Sequence, residues 1–115
     1  MGDKTLQMTM LLDFYGELLT DKQRSCFSLH YNDDYSLAEI AEELGISRQG
    51  ARDLIVRAEA TLTETEEKIG LIRRYNERRA VLAEMSEKLT ELEGLTDGRA
   101  RELTALLRAS LNTLD

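Results

Sequence analysis

Apolar residues recur at intervals of three and four along nearly the whole of this 115-residue chain, which is the period of an amphipathic helix. The pattern predicts a first helix over residues 4–19 and a second over 21–31, with Thr20 in position to cap the second. Residues 32–34 are Asn, Asp and Asp, which favour a turn because their side chains bond the local backbone. We therefore expect two helices followed by a tight turn.

Residues 36–52 predict two short helices joined at one glycine. Ser36 and Glu39 have the spacing of a capping box at the start of the first helix. Gly45 is placed to end that helix, since glycine adopts the left-handed conformation at little cost, and Ser47 is placed to cap the next. The apolar face of the first helix consists of Leu37, Ile40, Ala41 and Leu44. This arrangement is a helix-turn-helix.

The second helix of the motif is predicted to continue far beyond a minimal helix-turn-helix. Its apolar stripe steps by four and three residues through Ala51, Ile55, Ala58, Leu62, Thr65, Ile69 and Ile72. A second stripe with the same steps runs through Leu71, Tyr75, Arg78, Leu82, Met85, Leu89 and Leu92. The stripes are offset by one residue near Gly70, so we expect a bend, an overwound turn or a break there.

Residues 71–115 are predicted to form a helical hairpin. Residues 94–98 contain two glycines, and either Thr96 or Asp97 is placed to cap a last helix. The stripe of that helix is Ala100, Leu103, Leu107 and Leu111. The apolar seam has three candidate partners: the last helix, the preceding bundle or a second copy of the chain. We expect two domains, 1–70 and 71–115, and a homodimer formed through the second.

The composition agrees with an all-α fold, because the chain has no proline and only 5% aromatic residues. No stretch of about 18 apolar residues is present, so no membrane insertion is expected. The first ten residues are too polar for a signal peptide. Cys26 is the single cysteine and cannot form an internal disulfide, which fits a reducing compartment. We expect a cytoplasmic protein in which this thiol is buried.

The net charge of −7 is confined to the first part of the chain. Residues 1–70 hold 7 Lys and Arg against 14 Asp and Glu, whereas residues 71–115 hold 8 of each kind. Phosphate contacts supply most non-specific affinity for DNA, and DNA-binding modules usually present a basic face. The charge therefore argues against DNA binding, in conflict with the helix-turn-helix.

The residues that could carry catalysis are few. His30 is the only histidine and lies four positions from Cys26, but a structural zinc site needs four ligands and no second pair exists. No Gly-rich phosphate loop is present, and one histidine leaves no convincing catalytic triad. We predict a protein that is not an enzyme and holds neither a metal nor a cofactor.

The start of the second motif helix is the candidate nucleic-acid site. At 100° per residue, Arg48, Gln49 and Arg52 share one sector beside the buried stripe. Arginine pairs with guanine and glutamine with adenine, each contact adding roughly 1–3 kcal/mol of discrimination. Ser47 and Arg57 are placed to contact the DNA backbone. The opposing interpretation is that these residues are only the solvated face of an amphipathic helix.

Several stretches of the chain carry a resemblance to a known family. They are residues 13–24 (DFYGELLTDKQR), 31–42 (YNDDYSLAEIAE) and 46–49 (ISRQ). With residues 57–59 and Tyr75, the chain resembles the YlxM-type family of small bacterial proteins over residues 5–75. That family is itself similar in sequence to region four of sigma factors.

The resemblance implies a sigma region-four-like helix-turn-helix bundle, followed here by a long helix and the C-terminal hairpin. It also implies a regulatory role in the signal recognition particle pathway, and it brings no catalytic residues. The first hypothesis is a dimeric regulator that binds DNA. The second is an accessory factor that binds the protein or the RNA of the signal recognition particle, without sequence-specific DNA binding. The third is a scaffold that has lost DNA contact.

Overall fold

A computed structural model describes residues 3–114 of the chain, and this part is all-α, with no β-strand. The helices are α1 (Asp3–Tyr15), α2 (Asp21–Tyr31), α3 (Leu37–Leu44), α4 (Arg48–Ile69), α5 (Leu71–Glu93) and α6 (Gly98–Asn112), with a 3-10 turn at Gly16–Leu18. The chain divides into two compact units, the first ending at Ile72 and the second beginning at Arg73. The all-α prediction is confirmed.

Two neighbouring apolar clusters hold the first unit together. One surrounds Phe27 and joins α1, α2 and α4; its other buried members are Met8, Leu11, Tyr15, Leu19, Ala58 and Leu62. The second joins α2, α3 and α4 through Cys26, Ile40, Ala51 and Ile55. Helices α2 and α4 contribute to both clusters, so they fix the place of α1 on one side and of α3 on the other.

The predicted caps of the first unit are present. Thr20 accepts a hydrogen bond from the backbone N–H of Gln23, whose side chain bonds back to Thr20. Ser36 and Glu39 form the predicted capping box with distances of 3.1 and 2.9 Å. Each box satisfies two backbone donors that a helix start leaves unpaired.

The offset between the two apolar stripes is resolved by a break at Gly70. This residue adopts a left-handed conformation with φ 69°, and its N–H closes α4 on the carbonyl of Glu66. The backbone N–H of Leu71 donates to the hydroxyl of Tyr15 at 3.2 Å. The N–H of Ile72 donates to Oε1 of Glu66 at 3.0 Å. Side chains from α1 and α4 therefore cap the start of α5.

The first helix ends earlier than predicted, and this corrects its predicted end at residue 19. Helix α1 stops at Tyr15, where φ −124° and ψ 6° leave the helical region, and the 3-10 turn follows. Leu19 is extended and only 4% exposed, while Leu18 is 60% exposed. The tighter turn thus buries one of two adjacent leucines that a continuous helix would have placed on the same stripe.

The second unit consists of α6 and the part of α5 from residue 73 onward, and its packing differs from the predicted seam. Leu89 and Thr104 are the buried side chains of residues 73–114. Polar contacts join the two helices: Arg108 donates to Ser86, Thr90 and Glu93 at 2.7–2.8 Å.

The predicted stripe of α6 is mostly uncovered, with Leu103 46% and Leu107 56% exposed. The reason is a rotation of the helix: α6 turns Thr104 and Arg108 toward α5, one residue around from the predicted face. Asp97 stands at the position before α6, but its side chain makes no capping hydrogen bond. Thr96 instead donates to the carbonyl of Leu92.

Candidate nucleic-acid interface

The turn between α3 and α4 fixes the direction in which α4 starts. Gly45 adopts φ 67°, and the N–H of Ile46 reaches back to the carbonyl of Ala41 at 3.0 Å. This is the hydrogen-bond pattern of a glycine-terminated helix end. Ile40 of α3 and Ala51 of α4 are fully buried in the same apolar cluster, so the two helices form one rigid helix-turn-helix.

The arginines predicted for the site are exposed. Arg48, Arg52 and Arg57 form no salt bridge and no side-chain hydrogen bond with any residue between 3 and 114. At 100° per residue, Arg48 and Arg52 lie 40° apart on regular helix, whereas Arg57 lies 180° from Arg48. The structure thus brings two arginines together on one sector and places the third on the opposite side of α4.

Ser47 is the cap of α4, as predicted. Its Oγ accepts a hydrogen bond from the N–H of Gly50 at 2.9 Å, and its carbonyl accepts from Ala51. A hydroxyl that accepts in this way still has its own hydrogen to donate. Ser47 can therefore hold the helix start and bond a neighbouring acceptor at the same time.

The side chain of Gln49 is hydrogen-bonded to Asp53, a neighbour on the same helix. The sequence pattern did not predict this contact. Its Nε2 donates to Oδ1 of Asp53 at 2.9 Å, and both side chains are exposed. Asp53 forms no salt bridge with Arg48 or Arg52 within the described residues. The amide must rotate away from Asp53 before it can present both its groups to a base edge.

The acidic side chains of α3 do not close over the arginines. Glu42 and Glu43 are exposed and form no salt bridge with any residue in the described part of the chain. Glu39 is held by the backbone N–H of Ser36, and this hydrogen bond lowers the pKa of its carboxyl. The arginine sector is consequently a small open positive surface on an acidic unit.

Val56 completes this sector, although the sequence pattern assigned it no role. It lies 40° beyond Arg52 around α4, and 51% of its surface is exposed. The available signal was an apolar residue at a position facing solvent. An exposed aliphatic side chain next to two arginines provides a contact for an apolar group such as the methyl of thymine.

His30 and Cys26 are both used within the bundle. Nδ1 of His30 lies 3.1 Å from the carbonyl of Tyr35, which can only accept, so this nitrogen carries the hydrogen. The Cys26 thiol is fully buried, as predicted, and donates to the carbonyl of Ala51. Burial raises its pKa. Across residues 3–114, no three His, Cys, Asp or Glu side chains are placed to hold a metal ion.

None of the helices between residues 3 and 114 combines the length and the apolar character needed to cross a membrane.

Comparison with known proteins gives relatives along the whole chain. A family model described as "Putative helix-turn-helix protein, YlxM / p13 like" matches residues 2–99. The UPF0122 proteins of Halalkalibacterium halodurans and Geobacillus kaustophilus are each 47% identical over 115 residues, which is all of both chains. That of Listeria welshimeri is 47% identical over 91 residues, covering 79% of this chain and 83% of its own.

Proposed function

Since this chain belongs to the UPF0122 family of YlxM/p13-like helix-turn-helix proteins, we propose that it is a non-enzymatic regulator that binds DNA through the start of α4. The observation that carries the proposal is the pair Arg48 and Arg52. Both are exposed, free of salt bridges within the described residues, and held on one sector of a helix whose direction the Gly45 turn fixes.

In this role the first turns of α4 enter the major groove. Arg48 and Arg52 donate to O6 and N7 of guanine, and Val56 contacts a thymine methyl group. Gln49 leaves Asp53 to read adenine. Ser47 and Arg57 bond phosphate oxygens, which positions the helix without reading sequence. We place the protein in the cytoplasm, in line with its single buried thiol.

The acidic surroundings favour selective over general binding. The unit that carries α4 has an excess of seven negative charges, which repel phosphates away from the arginine sector. Non-specific affinity is therefore low, and binding depends on the base contacts. A regulator that must ignore most of the genome benefits from this balance.

The test begins with selection of a bound sequence from a random duplex library, followed by gel-shift titration. The double variant Arg48→Ala/Arg52→Ala removes two base contacts and is expected to weaken binding by roughly 30-fold or more. The matched control is Lys22→Ala/Arg24→Ala, which removes the same charge from α2 of the same unit. Equal affinities of the two double variants contradict the proposal.

A second function is favoured by the acidic charge of the first unit. We propose, as the alternative, an accessory factor of the signal recognition particle that binds the basic protein subunit through its acidic surface, or binds the particle's RNA, without sequence-specific DNA binding. The support is the −7 charge, which suits a basic partner, together with the resemblance to the YlxM type.

Pull-down with the purified particle, before and after nuclease treatment, separates protein contact from RNA contact. The charge variant Glu42→Gln/Glu43→Gln is expected to weaken the protein contact and leave DNA binding unchanged. Loss of capture in Arg48→Ala/Arg52→Ala alone instead assigns the arginine sector to the particle's RNA.

A further inference from the structure

Most of the large apolar side chains of the second unit are not buried within the chain. Only Leu89 and Thr104 of residues 73–114 are buried, whereas five large apolar side chains of one groove are 44–58% exposed. We call it the apolar groove; it is lined by Val81, Met85 and Leu92 of α5, by Leu107 and Leu111 of α6 and by Leu114 just after α6, with Glu84 and Lys88 of α5 beside them. It has a volume of about 590 Å³. Exposed apolar surface that spans two helices marks an interaction site.

The charge of the second unit narrows the choice of partner. Residues 73–115 carry eight basic and eight acidic residues, so the unit is neutral. A strongly basic partner is attracted to the first unit, which holds the whole negative excess, and gains no electrostatic energy at this groove. A second copy of the same neutral unit meets no net repulsion here.

The order of charges along α5 gives the orientation. Residues 73–80 hold four arginines and one glutamate, and residues 81–93 hold four glutamates and one lysine. This order opposes the helix dipole, which favours acidic residues near the start and basic residues near the end. Within one chain this order lowers helix stability, apart from Glu93, which is paired with Arg108. A neighbouring helix that runs in the opposite direction offsets it.

The side chains that could meet another molecule are unpaired within the chain. Arg74 and Arg78 form no salt bridge with any residue in the described range, nor do Glu84, Glu87 and Glu91. At 100° per residue, Arg74 and Arg78 lie within 60° of Val81, on the same side of α5 as the apolar groove. The two arginines thus border one side of the apolar face, and Glu84, Glu87 and Glu91 lie 60–120° from Val81 on its other side.

From these observations we propose that a second copy of this chain occupies the apolar groove, with the two α5 helices antiparallel. A two-fold axis near Val81 and Met85 brings the arginine half of each α5 onto the glutamate half of the other. The two hairpins become a four-helix bundle whose core is formed by the two grooves. The proposal is independent of nucleic-acid binding by α4.

The first test is the mass of the full chain in solution. Sedimentation at up to about 100 µM is expected to give twice the chain mass of 13.1 kDa. Met85→Glu places a charge in the groove, and this variant is expected to be a monomer of 13.1 kDa. The control Leu6→Glu alters a residue that is 64% exposed in the first unit and is expected to remain dimeric.

A charge exchange tests the orientation and does not depend on how Met85→Glu folds. The variant Arg74→Glu/Arg78→Glu/Glu84→Arg/Glu87→Arg reverses both halves of α5, so antiparallel copies of it still match. It is expected to associate with itself and not with the wild-type chain, since mixed antiparallel pairs place like charges together.

Native mass spectrometry of differently tagged chains measures the mixed species. Mixed dimers as abundant as the two self-pairs show that the charges do not direct pairing, and an excess of mixed dimers indicates parallel helices; either result overturns the proposal. A wild-type chain that stays at the 13.1 kDa mass, or a dimer that Met85→Glu leaves intact, also overturns it. In either of those cases the groove belongs to another partner or to none.

Discussion

The hydroxyl of Tyr15 donates a hydrogen bond of 2.6 Å to Oε1 of Glu66, joining two residues that are 51 positions apart in the chain. The same two side-chain oxygens accept the backbone N–H groups of Leu71 and Ile72. One pair of side chains therefore links α1 to the end of α4 and satisfies two donors at the start of α5. These hydrogen bonds stabilise the break at Gly70.

Removing the Tyr15 hydroxyl is expected to destabilise the fold. Tyr15→Phe keeps the buried ring but takes away the donor to Glu66 and the acceptor for Leu71, at a cost of about 1–2 kcal/mol in the free energy of unfolding. Tyr35→Phe is the matched control, because the hydroxyl of that partly buried tyrosine forms no hydrogen bond with any residue between 3 and 114. We expect it to change stability by less than about 0.5 kcal/mol. Urea denaturation of both variants and the wild type measures these changes in the free energy of unfolding.

Gly45 is expected to tolerate no side chain without cost, although space for one is present. A Cβ added at this position meets no atom within 4 Å, so only the left-handed φ of 67° opposes it. We expect Gly45→Ala to cost about 1–2 kcal/mol and Gly45→Asn to cost less, since asparagine adopts this conformation more readily. Gly94→Ala serves as the reference, because its Cβ has ordinary contacts and Gly94 lacks a positive φ. A loss at Gly45 no larger than that at Gly94 disproves the conformational explanation.

The Glu93–Arg108 pair is expected to make the second unit sensitive to acid. The hydrogen bond from Arg108 lowers the pKa of Glu93 below its ordinary value of 4.5. A carboxyl with a lowered pKa adds stability above its ordinary pKa and loses that contribution as the pH falls through its folded-state value.

Thermal melts of Glu93→Gln and the wild type at a series of pH values measure this effect. The variant is expected to melt at a lower temperature at neutral pH, with the difference shrinking below about pH 4. Glu91→Gln, two residues away on the same helix and without a salt bridge in the described range, provides the comparison. A difference between Glu93→Gln and wild type that does not vary with pH contradicts this assignment.

DNA binding, as proposed for α4, is expected to depend weakly on salt. Each copy offers two arginines in the sector and Arg57 on the opposite side of α4, so the slope of log K against log salt concentration is shallower than about −3 per copy. Arg57→Ala is expected to lower the slope by about one and to weaken all sequences alike. Arg52→Ala is expected to change the preferred sequence. A steep slope shared by all sequences identifies a general phosphate-binding surface elsewhere.

The local parts of the helix-turn-helix could be predicted because each depends on a few adjacent residues. The Ser36–Glu39 box, the Gly45 turn and the Ser47 cap require only the right side chain at a fixed spacing. The break at Gly70 was also foreseeable from the offset stripes. Its capping by Tyr15 was not, because that contact joins residues that only the tertiary fold brings together.

The errors arise where packing overrides periodicity. Leu18 and Leu19 are equally apolar, and only the core around Phe27 decides which of them is buried. In α6 the leucine stripe pointed to a face that the polar cluster of Arg108 does not use. At the candidate site, the helical angles gave the arginine sector, but the Gln49–Asp53 hydrogen bond requires rotamers that spacing does not specify.

The rate at which the Cys26 thiol is alkylated measures how often the helices around it separate. The thiol lies in the cluster shared by α2, α3 and α4 and is bonded to the carbonyl of Ala51, in the second turn of α4. An alkylating reagent reaches it only in molecules where these helices have separated, and the reaction rate follows the population of that open state. Because the chain has no other cysteine, labelling of the natural sequence reports one site. Slower alkylation upon addition of a ligand then registers binding to the folded first unit without a dye or a mutation.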